Sequence, residues 1–309
     1  MAIPANWTGR LRLPVISAPM FLISGTDLVV EACNAGVVGT FPALNQRSSD
    51  GYRDWLDEIA ARQTPEAAPF GVNLVVHRSN PRLEADLAIT VEKRVPLVIT
   101  SLGLNRDLIS AVHGYGGLVF HDVTSLKFAA KAAEAGVDGL IAVSYGAGGH
   151  AGLISPFAAL HEIRQIFDGV LVLGGAISTG RQIAAALLMG ADMVYMGTRF
   201  MATAESMAVE RQRQMLLDAK AADIVYTPAV SGIPGNFLRA SLAACGRDPD
   251  DLTPADKLDF GTTDVKAWRD LWAAGQGVGA IDDLPDVASL VDRMAADYRS
   301  AATVLAARE

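Results

Sequence analysis

The sequence predicts a closed (β/α)8 TIM barrel followed by a smaller, mostly helical C-terminal segment. Short apolar runs of strand length alternate with stretches whose apolar residues lie three and four positions apart, as on one face of a helix. The spacers are short, and the unit repeats eight times in about the first 220 residues. Alternating strands and helices form a parallel sheet, and eight units close into a barrel. A doubly wound open sheet is the alternative, because a count of strands does not prove closure.

The predicted elements follow one another along the whole chain. The strands are the apolar runs at residues 13–17, 37–41, 70–75, 96–101, 117–122, 138–143, 170–173 and 192–196. The helices after them are predicted at residues 27–35, 52–62, 82–93, 106–112, 126–135, 156–167, 180–189 and 204–219. Residues 226–236 carry two prolines and two glycines, which predicts a structured loop. Further helices are predicted at residues 237–245, 267–274 and 284–305, and residues 249–263 form an acidic stretch broken by Pro254 and Gly261.

This organisation suggests a barrel domain with an appendage. We expect residues 1–205 to form the barrel and residues 280–309 to complete its wall. Residues 206–279 would then cover one mouth of the barrel. The chain has 309 residues, half of them hydrophobic, which is enough for a core of this size.

Composition limits the partners and the compartment. The net charge is −8 and no basic run occurs, so we expect no nucleic-acid partner. No apolar run has transmembrane length and the N-terminus lacks a secretory pattern, so we expect no membrane association. Cys33 and Cys245 have neither disulfide-framework nor metal-ligand spacing, which favours a reducing cytoplasmic location. A homodimer is left open.

Two glycine turns follow the seventh and eighth predicted strands, at residues 174–176 and 197–198. Glycine lets backbone N–H groups approach a phosphate, and loops at these two strand ends form a frequent phosphate site in barrels. The alternative is that the glycines only make tight turns. Because the chain lacks a dinucleotide GxGxxG fingerprint, a mononucleotide or a sugar phosphate is the favoured ligand.

A glycine-rich loop around His150 follows the sixth predicted strand and contains Gly148 and Gly149. A histidine at a strand end can act as an acid or a base near neutral pH, although a solvated loop histidine is the alternative. His77, His121 and Asp122 also lie near strand ends, and with His150 they could bind a metal. Their spacing matches no recognised ligand motif, so we predict no metal site.

Taken together, six motifs in this order resemble the nitronate monooxygenase family, formerly called 2-nitropropane dioxygenase. They are residues 18–20, 71–73, 147–150, 174–177, 190–200 and 272–277. Each motif is weak alone, but the six in register are specific for the superfamily and cover nearly the whole chain.

The resemblance implies a barrel that binds FMN, an appendage that closes over the substrate, and the oxidation of alkyl nitronates, or of nitroalkanes, by O₂ to a carbonyl compound and nitrite. His150 matches the active-site histidine of the family. The residues implied in cofactor binding are Ala18, Pro19, Met20, Asn73, Asp122, Gly148, Gly149, Gly174, Gly175, Ala176, Gly197, Thr198 and Gln276.

One position departs from the pattern of some relatives. They have a lysine near the flavin where this chain has Asp122, and a carboxylate cannot stabilise a reduced flavin as lysine would. Similar barrels include NAD(P)H:quinone reductases and flavin-dependent enoyl-thioester reductases, so these activities are the alternative functions. A metal-dependent lyase or hydrolase and a flavin-binding protein without turnover are more distant alternatives.

Overall fold

The computed structural model describes residues 3–252 and 270–306 and contains a closed barrel of eight parallel strands. Each barrel strand pairs with the next barrel strand along the chain, and the last returns to the first through the register Ile16↔Tyr195. Closure excludes the open-sheet alternative. The strands are β1 Val15–Ser17, β2 Val38–Pro42, β3 Gly71–Val75, β4 Leu97–Ser101, β5 Leu118–Val123, β6 Gly139–Val143, β8 Val170–Gly174 and β9 Met193–Met196.

Side-chain alternation along these strands divides the core in two. One set points into the barrel and forms an interior cluster that includes Ile99, Phe120 and Met193. Trp7 joins this cluster, with its ring centroid 5.9 Å from that of Phe120. The intervening residues point outward and pack against the helices. Both faces are therefore buried, which explains why the strand sequences are continuously apolar.

The helices of the wall lie close to their predicted positions. Several begin at side-chain caps that the sequence supplies, including Ser48, Asn105, Ser125 and Thr179. The helices are α1 Thr26–Asn34, α2 Ser49–Arg62, α3 Leu83–Glu92, α4 Arg106–His113, α5 Leu126–Ala135, α6 Pro156–Arg164, α7 Gly180–Leu188, α8 Thr198–Met201, α9 Glu210–Asp218, α10 Arg239–Ala244 and α11 Val287–Ala306. No helix in these described ranges is long and apolar enough to cross a membrane.

The eighth helix, predicted at residues 204–219, is shorter than expected: the chain forms α8 before this region and α9 within it, with a break at residues 202–209. The first, α8, ends where the Thr203 hydroxyl donates to the Phe200 carbonyl and the Ser206 hydroxyl donates to the Met201 carbonyl. Such side-chain bonds compete with the helical ladder. The second, α9, begins only at Glu210.

A small second sheet takes up both ends of the loop predicted at residues 226–236, and residues 228–234 form the loop that connects its strands. Strands β10 Ile224–Thr227 and β11 Gly235–Leu238 are antiparallel, and β11 also pairs with β7, Gly149–His150, from the loop after β6. The helix predicted at residues 267–274 is wrong in its described part, residues 270–274, where Ala273 bridges to Phe237. The rest of that helix, and residues 253–263 of the acidic stretch, lie outside the described residues.

The C-terminal helix α11 packs on the barrel wall against α7 and α1. At the start of α7, a Cβ on Gly180 would lie 2.1 Å from the Met294 carbonyl oxygen, so glycine is required for this close approach. Asp297 of α11 also accepts a hydrogen bond from the Arg181 N–H at 2.7 Å. The division of the chain at residues 205 and 279 stays a prediction.

Candidate functional site

The C-terminal ends of the barrel strands form a mouth whose inner face is lined by polar and small side chains. Side chains alternate along each strand, so the residue two positions after an interior residue also points into the barrel. Near the end of each strand, this residue lies at the mouth. The inward residues here are Asn73, Ser101, Asp122, Val143, Gly174 and Tyr195. Active sites of barrel enzymes lie at this end, so this mouth is the candidate site.

The turn after β1 contains Ala18, Pro19 and Met20 and is organised by a residue that the sequence analysis missed. The Asn45 side chain donates to the carbonyl oxygens of Met20 at 3.1 Å and Ser24 at 2.8 Å, and it accepts from the Leu22 N–H at 2.8 Å. Asn45 belongs to the loop after β2, and no local motif marks it. The turn is therefore fixed by the neighbouring unit of the barrel.

On β3, Asn73 is nearly buried and donates from Nδ2 to the Ile99 carbonyl and to Ser101 Oγ, both at 3.1 Å. These two bonds hold its side chain at the mouth beside β4. Since both use the same amide nitrogen, the orientation of the amide oxygen is fixed as well.

The two glycine turns predicted to bind phosphate lie at this mouth. Gly175 has a φ of +139° and Ala176 a φ of +55°. Among the described residues, the backbone N–H groups of Gly175, Ala176 and Gly197 make no hydrogen bond. A Cβ on Gly197 would lie 3.5 Å from Met20 Sδ and 3.7 Å from Ala18 Cβ, so the second turn adjoins the turn after β1.

Part of the glycine requirement in the first turn comes from the protein itself. A Cβ on Gly175 would lie 2.5 Å from Ser144 Oγ and 2.9 Å from the Tyr145 carbonyl oxygen. A Cβ on Gly174 would instead meet the Tyr195 ring at an ordinary 3.4 Å. A substitution at Gly175 therefore disturbs packing whether or not a phosphate binds there.

Residues 275–277 join the predicted site motifs to one another. The Gly275 N–H donates to Thr198 Oγ1 at 2.9 Å, and the Gln276 N–H donates to the Gly146 carbonyl at 2.8 Å. The Ser178 hydroxyl donates to the Gly277 carbonyl at 2.9 Å. Gln276, predicted from the resemblance, is thus held between both glycine turns and the histidine loop.

The histidine loop packs tightly on this segment. A Cβ on Gly148 would lie 2.8 Å from the Gly275 nitrogen, and Gly149 pairs with Asn236 in the small sheet. The buried Asn236 side chain donates to the Ala147 carbonyl at 2.7 Å. Asn236 was not identified from the sequence, because its partner lies 89 positions away.

His150 lies on β7 next to a buried serine. Its Nε2 is 3.0 Å from Ser231 Oγ, and the Ser231 hydroxyl donates to the Ile233 carbonyl. The serine oxygen therefore accepts a hydrogen bond from a protonated Nε2. Burial lowers the pKa of His150 to about 4, so the imidazole is neutral at pH 7. Ser231 was also missed, because loop serines carry no sequence signal of such a contact.

Asp122 lies on the inner face of β5. Its Oδ1 is buried and has no hydrogen-bond partner among the described residues. Burial raises the pKa of this carboxyl group to about 7. Burial, together with the charge of Asp122, also raises the pKa of the Tyr195 phenol well above its ordinary value. Among the described residues, the mouth thus contains a half-buried acid whose Oδ1 is buried and unpaired.

The structure does not bring together the residues of the metal alternative. Strand alternation points His121 outward, where its Nδ1 lies 2.7 Å from Thr100 Oγ1, while Asp122 points inward. Burial lowers the pKa of His121 to about 4. His77 Nδ1 lies 2.7 Å from Ser79 Oγ in the loop after β3. Within the described parts of the chain, no group of three or more His, Cys, Asp or Glu residues could hold a metal ion.

Comparison with known proteins gives one family over most of the chain. A family model described as nitronate monooxygenase matches residues 8–297. The chain is 28% identical over 288 residues to nitronate monooxygenase of Paraburkholderia phytofirmans, with 78% of each chain covered. It is 26% identical over 330 aligned positions to a Rhodococcus jostii protein named (3aS,4S,5R,7aS)-5-hydroxy-7a-methyl-1-oxo-octahydro-1H-indene-4-carboxyl-CoA dehydrogenase, with 92% of each covered.

Solved structures with the same fold cover nearly the whole chain. Nitroalkane oxidase from Streptomyces ansochromogenes is 25% identical, with a TM-score of 0.79 over 97% of this chain and 100% of that one. FabK from Thermotoga maritima is 23% identical, with a TM-score of 0.82 over 99% and 100%. At that identity the likeness to FabK shows the fold alone.

Proposed function

The chain belongs to the nitronate monooxygenase family of oxidoreductases, and we propose that it uses FMN to oxidise alkyl nitronates with O₂, giving a carbonyl compound and nitrite. The observation that carries this proposal is the convergence of three loops at one barrel mouth. The turns at residues 174–176 and 197–198 and the loop bearing His150 are all bonded to residues 275–277 or packed against them.

The residues at the mouth fit a flavin mononucleotide. Gly175, Ala176 and Gly197 offer backbone N–H groups, without partners among the described residues, to a phosphate. Residues 18–20 and Asn73 would line the ring and the ribityl chain. One pair of glycine turns suits a single phosphate group rather than a dinucleotide. When bound, FMN supplies the electron transfer and the oxygen chemistry, and the protein orients and tunes it.

His150 favours the nitronate over the neutral nitroalkane as substrate. Removal of an α-proton calls for a base whose pKa is near the working pH, and burial lowers the pKa of His150 to about 4. A nitronate has already lost that proton. The neutral imidazole has one N–H, at Nε2, which lies 3.0 Å from Ser231 Oγ. This N–H would turn from Ser231 to the anionic nitro group when the substrate binds. Gln276, held over the turns, would close the site from the side of the appendage.

The cofactor is tested by denaturing the purified protein and identifying any released compound by mass spectrometry. We expect one FMN per chain. FAD, or a preparation without flavin, would contradict the proposal. The reaction is tested by mixing the holoprotein anaerobically with a preformed nitronate, following flavin bleaching, and then admitting O₂ and measuring nitrite. Absence of both bleaching and nitrite would exclude the nitronate activity.

A second candidate function is oxidoreduction of an acyl thioester or a quinone with NAD(P)H. The observation in its favour is the similarity to the Rhodococcus jostii carboxyl-CoA dehydrogenase, which covers more of the chain than the similarity to the Paraburkholderia enzyme. Anaerobic mixing with NADH or NADPH separates the two functions. Rapid flavin reduction by nicotinamide, with none by nitronate, would establish the second function and overturn the first.

A further inference from the structure

Asp122 occupies the last inward position of β5. Phe120, two residues earlier, packs in the interior cluster, so alternation points Asp122 into the barrel at the mouth. Its Oδ1 is buried without a hydrogen-bond partner among the described residues. Buried polar atoms in folded proteins are nearly always paired, and each exception needs an explanation such as a functional role.

Among the described residues, the two acids whose side chains are buried, Asp192 and Asp86, each pair with an arginine. Asp192 accepts from Arg164 Nη2 at 2.6 Å and from the Leu171 N–H at 2.9 Å. Asp86 accepts from the Ser49 hydroxyl at 2.6 Å; its Oδ2 also lacks a hydrogen bond among the described residues, but it forms an ion pair with Arg82 at 3.0 Å. Asp122 has no such ion pair among the described residues. Its role is therefore different from that of a structural acid.

Among the described residues, the strands around Asp122 present no cation to it. Its neighbour β4 presents Ser101, β6 presents Val143, and β3 presents Asn73. The one titratable group that faces it among the described residues is the Tyr195 phenol on β9, which stays neutral. Burial alone raises the pKa of Asp122 to about 7. A small change in the local charge near neutral pH would therefore change its protonation.

We propose that Asp122 takes up a proton from solvent when a flavin bound at this mouth is reduced. The inference rests on the proposed function, because it needs the flavin. Two electrons from the nitronate, or from dithionite in a test, and one proton convert the oxidised flavin to its reduced anion. A second proton converts the Asp122 carboxylate to the neutral acid. The mouth then has the same net charge before and after reduction, which is favourable where no cation among the described residues offsets an added negative charge.

The proposal predicts the pH dependence of the flavin reduction potential. We would measure the midpoint potential of the holoprotein by spectroelectrochemistry from pH 6 to pH 9, for the wild type, Asp122→Asn and Asp122→Glu. One additional proton in a two-electron couple adds about 30 mV for each tenfold change in proton concentration. Above about pH 7, the wild-type potential should therefore fall more steeply than that of Asp122→Asn, by this amount per pH unit. Asp122→Glu, which keeps a carboxyl group, should retain the steep slope.

A second measurement uses the wild type alone, in case Asp122→Asn fails to fold or to retain flavin. The reduced-minus-oxidised infrared difference spectrum at pH 8 should gain a protonated-carboxyl band. Two results would overturn the role of Asp122 and leave the proposed function standing. One is a flavin-containing Asp122→Asn whose midpoint potential falls with pH as steeply as that of the wild type. The other is a wild-type spectrum without the gain of the carboxyl band. A protein that binds no flavin would overturn the proposed function itself.

Discussion

Asp192, at the N-terminal end of the barrel, accepts hydrogen bonds from a cation and a backbone N–H, whereas Asp122, at the C-terminal end, has a buried oxygen without a partner among the described residues. Asp138, also at the N-terminal end, accepts from the Val119 N–H and from His113 in the same way. The acids at one end thus connect neighbouring strands and helices, and the acid at the other end is left available. We infer from this difference that the N-terminal end of the barrel stabilises the fold, whereas the C-terminal mouth is available for binding.

The largest expected effect tests the stabilising end. Asp192→Ala removes both hydrogen bonds and leaves Arg164 without its carboxylate, so we expect the free energy of unfolding to fall by about 3 kcal/mol. Urea denaturation at pH 7 measures this change. The flavin content of the remaining folded protein should be unaltered. A loss below about 0.5 kcal/mol, which is the range of surface substitutions, would show that Asp192 does not stabilise the fold.

The next effect concerns binding at the mouth. His150→Ala removes a hydrogen bond to a charged substrate, which is worth about 2 kcal/mol, or about thirtyfold in kcat/KM for a nitronate. Flavin content and stability should stay close to the wild type. His161→Ala, on the exposed face of α6, is the matched control and should keep full activity. Equal activity of His150→Ala and the wild type would show that His150 does not contact the substrate.

In the flavin-free protein, we expect Asp122→Asn to stabilise the fold, whereas Asp192→Ala destabilises it. Because the folded-state pKa of Asp122 is raised to about 7, the folded chain binds more protons than the unfolded chain between about pH 4 and pH 7. The Asp122 carboxyl group therefore destabilises the folded chain more and more as the pH rises through this range. We expect Asp122→Asn to raise the free energy of unfolding by about 1–2 kcal/mol at pH 8 and to change it little at pH 4. Destabilisation at pH 8 would show that Asp122 is a structural acid, like Asp192.

The smallest effect tests the phosphate turns. Gly197→Ala adds a methyl group that meets protein atoms only at ordinary distances, yet it lies beside N–H groups predicted to bind phosphate. We expect the affinity for FMN to fall about tenfold, which is about 1.4 kcal/mol, with unfolding of the flavin-free protein unchanged. Gly114→Ala, at the end of α4, is the control. An unchanged affinity of Gly197→Ala for FMN would show that the phosphate does not bind at this turn. Gly175 is unsuitable for this test because of its contact with Ser144.

Several failures of the sequence analysis have one physical cause. Asn45, Ser231 and Asn236 each act through partners that are distant in the chain or that belong to another unit, so local patterns do not reveal them. Strand β11 was missed because it has only four residues and begins at a glycine, and because one of its two partners, β7, is distant in the chain. Similarly, Thr203 and Ser206 end α8 through hydroxyl bonds that a helical periodicity does not register.

The sequence by itself determined the eight-unit barrel, because burial of both faces of a parallel sheet imposes apolar strands, and amphipathic helices must cover it. It also determined which loops carry glycine and His150, and the position of each loop at a strand end. The tertiary structure decided which of these residues meet. It brought residues 275–277 onto both glycine turns, turned His121 outward, and left Asp122 Oδ1 buried without a hydrogen-bond partner among the described residues. These outcomes depend on contacts across the barrel, where distance along the chain carries no information.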